Sequence, residues 1–410
     1  MKNTWQTQTL EEACQFSNGL WKGEKPPFVS VGVIRNTNFT KEGTLDDSDI
    51  AHLDVEAKQF EKRRLQCGDI ILEKSGGGPK QPVGRVVLFD KEGDDFSFSN
   101  FTAALRVRDP RELDFRFLHK FLHWTYLSGV TEGMQSHSTG IRNLDGDAYK
   151  AIQITFPPLP EQQRIVGILD EAFEGIATAK ANAEKNLQNA RAIFESYLQS
   201  VFTQQGEGWV EKRLAELCDI KHGFAFKSEF FTDSGDYVLL TPGNFYESGG
   251  YRDRGEKQKY YCGEIPDGFV LSEGDMLVAM TEQAAGLLGS PILVPESGTF
   301  LHNQRLGLVT KKSGVPWTNE FFFHVFNTHA VRKAIHDSAS GVKVRHTSPT
   351  KIGEVIVAFP TSLSEQNRIV STLAALASET QRLASIYQQK LAALEALKKS
   401  LLHQAFAGEL

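Results

Sequence analysis

The chain has 410 residues, of which 40% are hydrophobic and 23% charged, and a formal net charge of −6 at pH 7. That length exceeds one ordinary core, so two or more domains are expected, and the composition excludes a disordered or fibrous polymer. A chain that is basic in neither half also excludes a nonspecific coat on nucleic acid, so any phosphate-binding surface has to be a local patch.

The longest apolar runs, such as VGVI at 31–34 and IVGIL at 165–169, fall far short of a membrane span. Residues 1–25 carry no charged-then-apolar leader pattern, so the expected location is cytoplasmic, with no membrane partner. Cys14, Cys67, Cys218 and Cys262 are scattered with no Cys-x-x-Cys pair. Buried free thiols are expected rather than a disulfide framework, and no metal site.

In chain order, FVSVGVI (28–34), DIILEK (69–74), GRVVLFD (84–90) and AALRVR (103–108) read as strands. A Phe-rich helical segment follows over 113–127, and AIQITF (151–156) closes the set. Helix signals then switch on: Pro160 suits a first helical position, and Glu161 complements the helix dipole. The series then recurs as YVLLT (237–241), DMLVAM (275–280), SPILVP (290–295), LGLVT (306–310) and EVIVAF (354–359), with helical spacing over 318–336. Ser364 reads as the N-cap of a second long helix, with Glu365 in its first turn.

This recurrence is a repeat of the whole chain. Trp5 meets Trp209, Leu10 meets Leu214, Cys14 meets Cys218 and Gly19 meets Gly223. CGDIILEK at 67–74 lies against EGDMLVAM at 273–280, and FPPLPEQQRIV at 156–166 against FPTSLSEQNRIV at 359–370. The period is far longer than the roughly 20–50 residues of a solenoid repeat, so it marks a duplicated domain pair.

After each LPEQ or LSEQ entrance the apolar spacing is heptad-like. Leu169, Ile176, Leu187, Phe194 and Tyr197 continue one stripe, and Leu373, Leu376, Leu383, Tyr387, Leu394 and Leu397 the other. A helix of about 40 residues is about 60 Å long and needs a partner to bury such a stripe. The expected architecture is α+β. Globules at 1–157 and 205–360 are each followed by a long helix, at 158–204 and 361–410. The two helices pair as an antiparallel coiled coil with internal pseudo-two-fold symmetry.

Two similar globules offer two similar surfaces, and B-DNA is read by such pairs. Base edges call for Arg, Lys, Asn or Gln, while phosphates call for cations, hydroxyls and free N–H groups. Two loops per copy supply them. Copy one has Lys74, Ser75, Lys80, Gln81 and Arg85, then His137, Thr139 and Arg142. Copy two has Thr281 and Gln283, then Lys343, Arg345 and His346. Alternation along an extended segment puts Lys343 and Arg345 on one side. The glycines at 76–78 lack the Gly-Lys-Ser/Thr of a phosphate loop, so they read as a tight turn or a loop entering a groove.

The paired globules, the FPPLPEQQRIV and FPTSLSEQNRIV entrances and the Gly68-Asp69 and Gly274-Asp275 steps resemble the specificity subunit of type I restriction-modification systems over essentially the whole chain. Ser364 departs from the proline of that family's entrance. The resemblance implies two target-recognition domains reading a bipartite, asymmetric site in double-stranded DNA. It also implies helices that set the unread gap and dock two methyltransferase subunits, and restriction/motor subunits that join the complex. On that footing the chain has no catalytic residue and binds no cofactor, S-adenosylmethionine and ATP/Mg belonging to its partners. The alternatives are a self-contained DNA methyltransferase or restriction enzyme, for which no Asn-Pro-Pro-Tyr-type box is present, and a protein-interaction adaptor.

Overall fold

The two repeats share one plan, with the four-stranded main sheet in the same order in both. The computed structural model describes residues 5–21, 23–78, 81–93, 95–138, 141–283 and 286–410. The chain forms two compact units, one of Met1–Glu184 with Gln388–Leu410 and one of Lys185–Tyr387.

In the first unit, Gln6–Thr9 pairs antiparallel with Gln153–Phe156, the strand that delivers the chain to the first long helix. Thr9 caps one helical turn, Leu10–Ala13, in a capping box with Glu12. The main sheet is antiparallel throughout, in the order Cys14–Asn18, Thr102–Val107, Ile70–Glu73, Val86–Leu88. A second sheet places Phe28–Ile34 between Ala51–Glu56 (antiparallel) and Phe96–Phe98 (parallel). The helix Phe115–Leu127, capped by Asp114, buries Phe117, Leu118, Phe121 and Leu122 against Leu10, Ile70, Leu72 and Leu105 of the main sheet's core.

The second unit repeats this plan. Trp209–Arg213 pairs with Ile356–Pro360, and Leu214–Leu217 forms the single turn. The main sheet runs Cys218–His222, Leu306–Lys311, Met276–Ala279, Pro291–Leu293. The helix expected over 318–336 is two, Asn319–Asn327 and His329–Ser338. Thr328 parts them: its backbone is extended, and its side chain caps the second helix through Val331 N–H.

The matched residues share physical jobs. Leu10 and Leu214 are fully buried, and their N–H groups donate to Ile152 and Val355 carbonyls at 2.9 Å in both cases. A Cβ on Gly19 would lie 1.8 Å from Ser99 O, and one on Gly223 2.2 Å from Asn303 O, so close backbone approach demands glycine at both. Gly68 and Gly274 each hold positive φ, 95° and 78°, in a turn closed by Asp69 and Asp275, whose carboxylates accept from Gln66 and Ser272 N–H at 2.8 Å. Cys14 and Cys218 are buried, and burial pushes both thiols up to about 12. Cys67 and Cys262, by contrast, are free and exposed.

The long helices are Leu159–Gln204 and Leu363–Ala407. The first starts one residue and the second two residues earlier than the sequence suggests, so Pro160 occupies the second helical position. There its missing N–H costs nothing, because that N–H has no partner inside the helix. In the second helix the cap is Ser362, whose Oγ accepts from Glu365 N–H at 3.4 Å, rather than Ser364.

Within the first unit, Arg164 donates to the Leu410 carbonyl at 2.9 Å and Lys180 pairs with Glu395 at 3.0 Å, so the two helices run antiparallel. Leu169 shares a core there with Leu402 and Ala405. Within the second unit, Leu198, Ile369 and Leu373 share a core that Phe194 packs against. Ile176 is buried, and Leu187, Leu376, Leu383, Tyr387 and Leu394 are half-buried. Two expected seam residues are misplaced: Tyr197 is 37% exposed and Leu397 46% exposed. Leu198 and Lys398 take their places, because two successive four-residue steps (190, 194, 198 and 383, 387, 391) restore the 3.6-residue period that strict heptads fall short of. Among the described residues, no helix is long and apolar enough to cross a membrane.

Candidate nucleic-acid interface

In each unit the two polar loops are far apart in sequence, yet the fold pairs them. In the first, Ser75–Gly77 continues beyond the main-sheet strand Ile70–Glu73 and pairs antiparallel with Ile141–Leu144. That strand is also the return arm of a hairpin with Gln135–Ser138. In the second, Thr281 lies opposite His346 and Glu282 opposite Arg345. The two ribbons occupy equivalent places in the repeat, just past the end of the central strand of the main sheet.

Around the first ribbon, Ser75 Oγ donates to Asn143 Oδ1 at 2.6 Å, and Arg142 Nη1 to Gln135 Oε1 at 3.3 Å. Gln135 Nε2 in turn donates to the Val83 and Thr131 carbonyls at 3.1 and 3.0 Å, fastening the hairpin to the body of the unit. Lys74 Nζ donates to Asn18 Oδ1 at 2.8 Å, and partial burial lowers its pKa by disfavouring the charged form. Gly76 holds φ 106°, and a Cβ there would lie 2.8 Å from Asn36 Nδ2. Gly76 and Gly77 belong to the strand Ser75–Gly77, so the glycine run does not make the expected tight turn, and Gly78 exchanges backbone hydrogen bonds with Gln81 at 3.1 Å.

Arg85 is placed differently from a free cation. Its guanidinium forms a bidentate pair with Glu73 at 2.8 Å on both bonds and also donates to the Phe39 and Asn36 carbonyls. Glu73 is 1% exposed, so this arginine neutralises a buried carboxylate beneath the ribbon. Gln81, with its amide oriented to satisfy both partners, accepts from Arg85 Nη2 at 2.9 Å. His137 lies opposite Arg142 in the hairpin backbone. Lys80 and Thr139 lie outside the described residues.

In the second unit the side-by-side reading of Lys343 and Arg345 does not hold. Residues 342–344 bend instead of extending, because Ser340 and His346 exchange backbone hydrogen bonds at 2.9 and 2.8 Å and close a hairpin. Lys343 is exposed at its tip, while Arg345 folds back to donate Nη2 to the His336 carbonyl at 2.6 Å. Beneath, Glu282 is 3% exposed, and its Oε2 accepts from the N–H groups of Gly286, Leu287 and Leu288 at 2.9, 2.9 and 3.1 Å. Its Oε1 lies 3.6 Å from His336 Nε2. Arg345, His336 and Glu282 therefore form one connected network under the hairpin. Gln283 and His346 are exposed, and Thr281 is half-buried.

A family model described as the type I restriction modification DNA specificity domain matches residues 2–188 and again 206–394. The chain belongs to the type I restriction-modification specificity family. It is 25% identical over 236 residues to the EcoBI specificity subunit of Escherichia coli, covering 57% of this chain and 44% of that one. It is 22% identical over 289 residues to the MjaVIII specificity subunit of Methanocaldococcus jannaschii, covering 67% and 66%. The matched segments thus span less than two thirds of either relative. Among solved structures, the HsdS subunit from Thermoanaerobacter tengcongensis superposes with a TM-score of 0.65 at 17% identity, covering 100% of this chain and 98% of that one. A chain from a study of complex assembly and conformational transition in the type I R-M system superposes with a TM-score of 0.77, also at 17% identity, covering 100% and 99%. Each repeat of this specificity-family chain is one copy of the family's domain.

The motif shared by the two helix entrances also has a structural explanation. Gln162 is fully buried: its Oε1 accepts from Asp114 N–H at 2.8 Å, and its Nε2 donates to the Glu112 and Pro157 carbonyls at 2.7 Å each. Gln366 does the same with Thr318 N–H at 3.1 Å and the Pro316 and Pro360 carbonyls at 2.8 and 3.0 Å. Each glutamine ties the last strand, the long helix and the shorter helix's cap into one joint. The flanking Glu161–Arg164 and Glu365–Arg368 pairs, at 2.7 Å each, are exposed.

Proposed function

We propose that this chain is the sequence-specific DNA-recognition subunit of a type I restriction-modification complex, each unit reading one half of a bipartite site. The observation that carries this reading is the pairing, in both repeats, of two loops rich in cations, amides and hydroxyls into one ribbon on a rigid sheet. Arg142 lies opposite Gly77 in the first, and His346 opposite Thr281 in the second. A two-stranded ribbon fits the major groove, where base edges are distinguishable.

On this reading the long helices fix the unread gap and dock two methyltransferase subunits, and restriction/motor subunits complete the complex in the cytoplasm. The chain itself is non-catalytic and binds no cofactor. S-adenosylmethionine and ATP/Mg enter with the partners. The test is to purify the chain with its modification partner and measure binding to cognate and scrambled duplexes. Equal affinity for both refutes the reading, and methyl transfer by the chain alone refutes its non-catalytic part.

A further inference from the structure

The hairpin between Ser340 and His346 has an unusual tip. Residues at such turns are ordinarily Gly, Asn or Asp, which tolerate the backbone and favour water. Here Val342, Lys343 and Val344 occupy it, with Val342 99% exposed and Val344 47% exposed. Gly341 sets the bend at φ 101°, where a Cβ would lie 2.1 Å from Val344 O. The Ser340–His346 ladder and the Arg345–His336 bond hold the tip's base. Two β-branched side chains are therefore presented to solvent on a fixed support. In the first unit another β-branched residue, Ile141, opens the strand Ile141–Leu144 opposite Ser138 and is 46% exposed. A local rule broken on a tip held this firmly points to function rather than packing.

We infer that Val342 and Val344 in the second unit, and Ile141 in the first, read thymine by contact with its C5-methyl group in the major groove. This rests on the DNA-recognition reading above. The major groove, about 12 Å wide, admits a two-stranded ribbon and displays the thymine methyl, which the minor groove does not display. An aliphatic side chain has no donor or acceptor, and the methyl of thymine is the one apolar group that a base pair displays in that groove. Lys343, between the two valines, supplies the charge that draws the tip to the phosphates.

The test uses the chain with its modification partner and duplexes carrying the recognised site. Thymines of each half-site are replaced by deoxyuridine, which lacks only the methyl. Wild-type affinity should fall about fourfold for each contacted methyl lost. Val342→Ala with Val344→Ala should abolish the thymine-to-deoxyuridine difference in one half-site, and Ile141→Ala in the other, at unchanged melting temperature. Equal wild-type affinity for both bases overturns the inference, as does a half-site without thymine or a variant that keeps full discrimination. If the wild type fails to prefer the cognate site over scrambled DNA, the recognition reading itself falls. Preference for the cognate site with indifference to the methyl removes the methyl contact alone.

Discussion

Gln162 offers a quantitative handle on the joint between recognition unit and long helix. Gln162→Ala deletes three hydrogen bonds in a fully buried site and strands the Asp114 N–H and the Glu112 and Pro157 carbonyls. Each bond contributes about 0.5–1.5 kcal/mol net, and stranded buried groups raise the loss, so the expected cost is about 3–5 kcal/mol. For a unit of this size, about 2–4 °C per kcal/mol places the fall in melting temperature at roughly 6–20 °C. Gln162→Glu is the sharper control. Its carboxylate can still accept from Asp114 N–H, but it turns two donor bonds into oxygen facing oxygen, so it should do no better than alanine. Scanning calorimetry of the full chain should show the transition of the first unit moving while the other stays, and Gln366→Ala should do the converse. A shift below about 2 °C in either variant would refute the joint.

Further outcomes follow from the same geometry. Arg85→Met leaves Glu73 buried and unpaired and should cost about 3–5 kcal/mol in denaturant unfolding; wild-type stability with weakened DNA binding would return Arg85 to the contact surface. Burial lowers His123 to about 3 and His302 to about 4, from a usual value of 6.5. The unfolded chain therefore binds more protons, and each histidine's stabilisation is full above pH 6.5. It is lost by about 1.4 kcal/mol per pH unit as pH falls from 6.5 towards those values; a flat stability profile from pH 6.5 to 4.5 contradicts this. Lys343→Ala should lower the salt slope of DNA binding by about 0.9 if its partner is a phosphate, and an unchanged slope removes that contact. Matched seven-residue insertions in both long helices should lengthen the unread gap by about three base pairs, from 1.5 Å per residue against 3.4 Å per pair; an unchanged motif contradicts the ruler role.

Much of the fold was legible in the sequence because duplication supplies its own alignment. Leu10 with Leu214, Gly19 with Gly223 and the Gly-Asp turns each named a job that one copy alone would have left ambiguous. The seam was legible until Tyr197 and Leu397, where a strict heptad count fell one residue behind the helical period. Boundary details were lost where neighbours compete, as at Ser362 and Ser364, or where one threonine breaks a helical pattern at 328. The candidate site was legible as composition: both loops in both copies were identified. Their pairing was not, because Ser75 and Asn143 meet through long-range register that no local pattern records. The inward turn of Arg85 was equally hidden, since a cation in a glycine-rich loop reads as exposed until Glu73 is known to lie beneath it.

The most direct test of the account is the methylome of a host with and without this gene, read by single-molecule sequencing. The account predicts that removing the gene abolishes methylation at one bipartite motif, with two different half-sites separated by an unread gap of fixed length. An unaltered methylome, or loss of a single contiguous motif, would contradict it.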